Sequence, residues 1–231
     1  MGTIVVGAII DEARATLIDV SGTPRWSRTA EMLVFANDAQ KEIVIGKPDA
    51  GAKSAVFQLA AGASQTIPAD GVQFMGVEHN LGVAGTTPGR ATLIADRADL
   101  SGVDPQWMTA TGAAVEHFIH DQRNPLGFYV YPRPTGAWYV SLLYAAVPPT
   151  IPAANIDTAA IGVSDIYKPA IHDYIVARAL LKNSRSGDVA KASFFFNKFY
   201  AQIGRKMQAQ SQYQPLDADA AKRAPDALGK A

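Results

Sequence analysis

Residues 128–152 read FYVYPRPTGAWYVSLLYAAVPPTIP, and the organisation of the chain turns on them. Two aromatic and β-branched runs, 128–131 and 138–145, flank Pro132-Arg133-Pro134-Thr135-Gly136. Short runs bounded by Gly and Pro are strand signals, and a loop with two prolines, which cannot donate to a ladder, suits a hairpin. Pro148-Pro149-Thr150-Ile151-Pro152 then forms a stiff linker, because each proline ring fixes φ and favours extended backbone. Strand texture ends there and helical periodicity begins beyond it.

Working upstream, similar runs at 55–60, 64–67, 72–79, 91–96 and 113–120 are separated by Gly, Pro, Asn and Asp. Together these segments predict a small antiparallel sandwich or barrel. Residues 104–108 suit a short helical turn. Before position 52 the period changes. Val6, Ile9, Ile10, Ala13 and Leu17 form one apolar stripe of a 3.6-residue repeat, ended by Ser21-Gly22-Thr23-Pro24. Ser27 then offers an N-cap, with Trp26 placed to staple near Glu31 or Met32. Met32, Phe35, Ala36, Ala39 and Ile43 repeat the stripe until Gly46-Lys47-Pro48. The two segments predict a helical hairpin.

Downstream of the linker, Ser164 and Asp165 are cap candidates, and Lys168-Pro169 fits a first turn, where proline is tolerated. Ile171, Tyr174, Ile175 and Leu181 mark the apolar side of a third helix. Ser186-Gly187-Asp188 breaks it, and Ala192, Phe195, Phe196, Phe199 and Ile203 mark a fourth. An isolated helix pair buries one face only. The expected fold is therefore α+β: a four-helix bundle-like domain from residues 1–51 plus 151–212, with an antiparallel β sandwich or barrel-like domain, 52–150, inserted between the pairs. Residues 213–231, rich in Ala, Asp and Pro, read as a flexible tail.

Composition narrows the function. No cysteine among 231 residues excludes a disulfide framework, thiolate metal sites and a thiol nucleophile. Twenty-one basic residues balance 21 acidic ones, which argues against a protein that coats nucleic acid. The balance is uneven along the chain: 54–150 holds 4 basic against 7 acidic residues, and 165–212 holds 8 against 3. No apolar run approaches the ~20 residues of a bilayer span. The opening MGTIVVGAII lacks a basic n-region and runs into Asp11-Glu12, so it does not read as a signal peptide.

Catalytic signals are weak. His79, His117, His120 and His172 lack metal-ligand spacing, since residues 117 and 120 of a strand face opposite ways. Glu78 and Glu116, the only glutamates of the β region, are the pair a glycosidase would need, but solvated strand carboxylates are far commoner. Gly82-Val83-Ala84-Gly85-Thr86 lacks the Lys-Ser/Thr of a phosphate loop, and no G-x-S-x-G elbow occurs. No cofactor and no metal is implied. Partner contacts are better candidates: Lys182, Arg185, Lys191, Lys198, Arg205 and Lys206 cluster on the last two helices, Phe194 points off their core face, and Arg133 sits in the proline-rich loop.

Several segments together resemble a known family. Ala8-Ile9-Ile10-Asp11-Glu12-Ala13-Arg14, Arg25-Trp26-Ser27 and Phe35-Ala36-Asn37-Asp38-Ala39-Gln40-Lys41-Glu42-Ile43 resemble the opening of tailed-bacteriophage head–tail adaptor (connector) proteins. Phe128-Tyr129-Val130-Tyr131-Pro132 with Leu143-Tyr144-Ala145 is similar to that family's hairpin. Asp165-Ile166-Tyr167-Lys168-Pro169-Ala170-Ile171-His172-Asp173-Tyr174 through Arg178-Ala179 is similar to its third helix. The resemblance implies a non-enzymatic virion part of the neck or tail, assembled in the host cytoplasm. It implies a homo-oligomeric ring, usually a dodecamer, between the portal protein and a tail or nozzle protein, with genomic DNA passing through. Alternatives are a tail-associated glycan- or peptidoglycan-degrading component using Glu78 and Glu116, or another neck ring such as a stopper or tail terminator.

Overall fold

The computed structural model describes residues 2–20, 22–121, 123–182 and 189–212, with side chains to Gly204. Chain order is α1 (Val6–Thr16), a π turn at Arg28–Met32 continuing into α2 (Leu33–Gly46), then β1 (Ala52–Gln58), β2 (Ser64–Thr66) and β3 (Gly71–Gly82). It continues through β4 (Leu93–Ile94), α3 (Arg97–Val103), β5 (Thr111–Gly112), β6 (His117–His120), β7 (Gly127–Tyr131), β8 (Arg133–Pro134) and β9 (Tyr139–Ala146). Helices α4 (Lys168–Lys182) and α5 (Val189–Gln212) follow. The fold is a mixed α+β one. Two compact units emerge: Gln40–Thr150, and Gly2–Ala39 together with the described residues from Ile151. The division falls inside α2.

In the first unit the strands form three sheets, ordered β1-β9-β3, β2-β7-β6-β4 and β5-β8. No barrel closes among the described residues, and two pairings, β4 with β6 and β5 with β8, are parallel. The expected all-antiparallel arrangement is corrected to that extent. The expected hairpin is also corrected: β7 and β9 belong to different sheets. Pro132 and Pro134 cannot donate to a ladder, and Arg133 between them gives its N–H to the Ala110 carbonyl at 3.0 Å. That pairing leads the chain from one sheet to the other. Helix α3, absent from the sequence reading, is capped by Asp96, whose carboxylate accepts from the Ala98 and Asp99 amides. The helical turn expected at 104–108 is a string of turns instead.

Apolar side chains of the two larger sheets share one core, including Phe74, Val77, Val115, Phe128, Val130, Val140 and Leu142. Phe74 of β3 stacks on Phe128 of β7 with ring centroids 4.4 Å apart. At the rim of this core Asn80 is 2% exposed. Its Nδ2 donates to the Arg90 and Val115 carbonyls, and its Oδ1 accepts from the Val115 amide and the Trp138 indole. One side chain thus satisfies both the N–H and the carbonyl of Val115, outside any ladder.

In the second unit α1 packs principally on α4, and α4 on α5. The N-terminal helices are therefore not a self-packed hairpin, and the apolar stripe of α1 (Val6, Ile9, Ile10, Ala13) is buried. Buried Ile171, Tyr174 and Ile175 of α4 and Ala192, Phe199 and Ile203 of α5 continue this core. Leu181, expected on the apolar side, is 48% exposed. Ser27 is an N-cap: its side chain accepts from the Ala30 amide while Glu31 accepts the Ser27 amide. The reciprocal partner stands one residue later than in a usual capping box because the turn is a π turn. Asp165 caps nothing on α4; its carboxylate accepts from the Thr3 and Ile4 amides and the Thr3 hydroxyl. The expected break at 186–188 lies outside the described residues.

Helix α1 ends before the predicted stop. Asp19 N–H bonds to the Arg14 carbonyl and Ile18 N–H to that of Ala15, the two bonds of a Schellman cap. This places Ile18 at φ 56° with its side chain 87% exposed, in the left-handed position that glycine normally takes.

Two outcomes follow for stability. Asn80→Leu strands an indole donor and the Val115 amide and carbonyl, and should cost about 3 kcal/mol or more, measured by urea denaturation. Ile18→Gly removes left-handed strain without losing buried contact and should stabilise the chain by about 1 kcal/mol, measured as a raised midpoint; a lowered midpoint would show that the Ile18 side chain is held by contacts of its own.

Candidate partner-contact surface

The last two helices were the predicted contact face, and two of its cations pair with acids of the same unit. Lys182, at the end of α4, forms an ion pair with Glu31. Lys198 of α5 reaches Asp173 at 3.2 Å and lies 5.9 Å from the centre of the Phe195 ring. Lys191 is exposed near the start of α5. Arg185 lies outside the described residues, and Arg205 and Lys206 fall where α5 side chains are not described. Arg133 stands in β8, its Nε donating to the Thr109 carbonyl at 3.4 Å. Phe194 is 62% exposed and meets Phe195 edge-on with centroids 5.5 Å apart.

Between the start of α2 and the end of α4 lies a groove of about 410 Å³. Its apolar walls are Val34, Phe35 and Leu181, with Arg178 over the Phe35 ring at 5.3 Å. Lys182 and Glu31, already paired, stand at its edge.

Asp173 explains why Lys198 turns inward. The carboxylate is 1% exposed. It accepts from Gln202 Nε2 at 2.8 Å and from Lys198, and its Oδ1 lies 3.2 Å from His172 Nδ1. The other nitrogen of that ring, Nε2, is 2.9 Å from the Thr16 hydroxyl, so the network joins α1, α4 and α5. Burial pushes the Asp173 pKa up, but hydrogen bonds from His172 and Lys198, and the Lys198 charge, outweigh it and hold the group below its ordinary value. Sequence reasoning passed over Asp173. Its only signal was a carboxylate beside the apolar stripe of a helix.

Arg28 was missed as well. Its guanidinium makes paired hydrogen bonds to Asp11 of α1 and to Asp157 beyond the proline linker. The bond to Asp157, then that to Asp11, raises its pKa further above normal, and the Asp157 carboxyl is lowered in turn.

The residues weighed for catalysis are otherwise occupied. Glu78 accepts from the Ser54 and Ser141 hydroxyls, while Glu116 pairs with Arg90 at 2.9 Å. His120 lies against Phe74, and His117 stacks near Tyr131. Among the described residues no group of three or more His, Asp or Glu is placed to hold a metal ion, and no helix is long and apolar enough to cross a membrane.

The model of the SU10 adaptor protein family matches residues 6–223, across both compact units. The chain belongs to that family. No curated protein matches the chain. Membership agrees with the head–tail adaptor resemblance drawn from the segments at 8–14, 25–27, 35–43 and 165–179, and makes the chain a phage structural adaptor. A structural family implies a non-enzyme and a virion component.

The Asp173 network has a pH signature. A carboxylate with a depressed folded pKa stabilises fully above its unfolded value, 3.8, and that contribution is lost as pH falls through the lower folded value. Urea denaturation of the wild type should therefore show stability falling as the pH drops below about 4. Asp173→Asn should be less stable at neutral pH and show a shallower fall. Parallel pH profiles for the two proteins would place the acid sensitivity elsewhere.

Proposed function

We propose that this SU10-family adaptor is a structural head-to-tail adaptor that forms a ring, usually of twelve copies, joining the portal protein to the tail or nozzle and lining the DNA exit channel. The family match over 6–223 carries this reading, because it spans the helical and the β segments alike. In the proposal a discontinuous helical domain, 1–51 plus 151–212, meets the portal and neighbouring copies. The inserted domain 52–150 faces the tail, and residues 213–231 extend to a partner. Assembly takes place in the host cytoplasm, a reducing compartment that suits a chain without cysteine.

The geometry supports a protein whose surfaces are for joining. Single chains close a ring when each copy offers two different surfaces related by a fixed rotation. Exposed Phe194, at 62%, and the groove beside Phe35 are two such unlike surfaces on the helical segments. Lys182 and Lys198 answer Glu31 and Asp173, and in the proposal they stand with Arg185, Lys191, Arg205, Lys206 and Arg133 as the basic positions that meet partners or passing DNA.

Cryo-electron microscopy of virions carrying a tagged copy tests the proposal. Twelve-fold density directly beneath the portal is the expected result. Density at the distal tail tip, or a ring at the tail-terminator position, would overturn it.

A further inference from the structure

The strands β4 and β6 run parallel, so the segments leaving their C-terminal ends emerge on the same side of the sheet. A cleft of about 550 Å³ opens there, lined by Ala95, Asp96 and Arg97 after β4, by Asp121 and Arg123 after β6, and by Tyr129 of β7. Its two carboxylates are committed to the chain's own backbone. Asp96 accepts the Ala98 and Asp99 amides, and Asp121 accepts the Arg123 amide. The two guanidiniums have no such commitment. Arg97 lies over the Tyr129 ring at 5.7 Å, and among the described residues neither Arg97 nor Arg123 pairs with a carboxylate.

The neighbouring sheet edge is open from Ile94 onward; just before it, the Thr92 N–H is taken by the Glu78 carbonyl of β3. β4 is the last strand of its sheet. Leu93 and Ala95 give their N–H groups to Glu116 and Phe118 on the β6 side. By the alternation of a parallel ladder, the Ile94 N–H and C=O face outward, and no partner for them occurs among the described residues. Leu93 is 60% exposed and Ile94 73%. Two exposed apolar side chains, an unpaired backbone edge and two unpaired cations thus adjoin one another.

We propose that this edge and cleft bind an extended acidic peptide segment of another protein, which adds a strand beside β4 and places a carboxylate between Arg97 and Arg123. Main-chain pairing at Ile94 would provide register, and the guanidiniums would select the acidic side chain. The segment around the cleft, 54–150, is acidic overall. That field opposes the many phosphates of duplex DNA far more than a single carboxylate held by two arginines. The inference rests on the adaptor reading only for the source of the segment, a neighbouring virion protein; the surface itself belongs to this chain.

The test uses the full-length chain and fluorescence anisotropy with a labelled short peptide of alternating valine and threonine carrying a central glutamate. Binding is expected to weaken at least about tenfold when lysine replaces the glutamate, and to a similar extent in the double variant Arg97→Ala, Arg123→Ala. N-methylation of alternate peptide amides should weaken it likewise, because it blocks strand pairing while leaving the protein unchanged. Two-dimensional amide NMR should show the Ile94 signal shifting with the glutamate peptide. No binding at about 1 mM peptide, equal binding of the lysine peptide, or arginine-dependent binding of a short DNA duplex in its place would each overturn the proposal. Adaptor position in the virion is read separately by the tagged-copy imaging, so failure here leaves that reading intact.

Discussion

The chain leaves its helical segments before β1 and must come back to them, and the side chain of Asn37 makes the return specific. Its Nδ2 donates to the Ile151 carbonyl at 3.1 Å and its Oδ1 accepts the Ile151 amide at 3.0 Å. Asn37 is 6% exposed, so the pair of bonds is shielded from water. Closing a loop of 114 residues costs about 4 kcal/mol in chain entropy alone. Two buried hydrogen bonds do not meet that cost by themselves. They decide which residue of the returning segment docks, and apolar burial then supplies the driving force. Beyond the clamp, Arg28 to Asp157 and Asp165 to Thr3 repeat the theme. Each ties the N-terminal segment to residues after the proline linker.

Charge in this protein is organised for internal joining before it is available for partners. Asp173 brings α1, α4 and α5 together because a buried carboxylate must be surrounded by donors, and His172, Lys198 and Gln202 supply them. The basic excess of 165–212, which looks in the sequence like an outward-facing patch, is partly used in this way. The acidic β segment shows the reverse. There Asp96 and Asp121 cap backbone amides, and the arginines beside them keep their outward-facing capacity. Net charge per segment is thus a poor guide to which segment offers cations to a ligand.

Several elements could be read directly from the residues. The stripes of α1, α2, α4 and α5 were legible because a 3.6-residue period against one core leaves a repeated mark. Ser27 was legible as a cap because its hydroxyl serves its own helix. The strands around 52–58, 64–66, 71–82 and 139–146 were legible from β-branched runs between turn residues. The two-residue strands β5 and β8 were not, since a pairing of that length leaves no pattern. Asn37, Asn80, Asp173 and Arg28 were equally silent. Each is a polar residue with at least one partner between 25 and 129 positions away.

The sequence by itself determined the order of element types, the α+β class, the absence of thiol chemistry and, through ordered segments, kinship with phage adaptors. Those properties are local, or sums of local terms, and periodicity and composition carry them. Only the tertiary structure decided that β7 and β9 join different sheets, that α1 packs on α4, and that Lys182 and Lys198 point to internal acids while Arg97 and Arg123 flank an open cleft. Sheet partners and ion pairs are choices among many residues compatible in type. Position in space selects among them, because burial and hydrogen-bond geometry reward one arrangement over the rest.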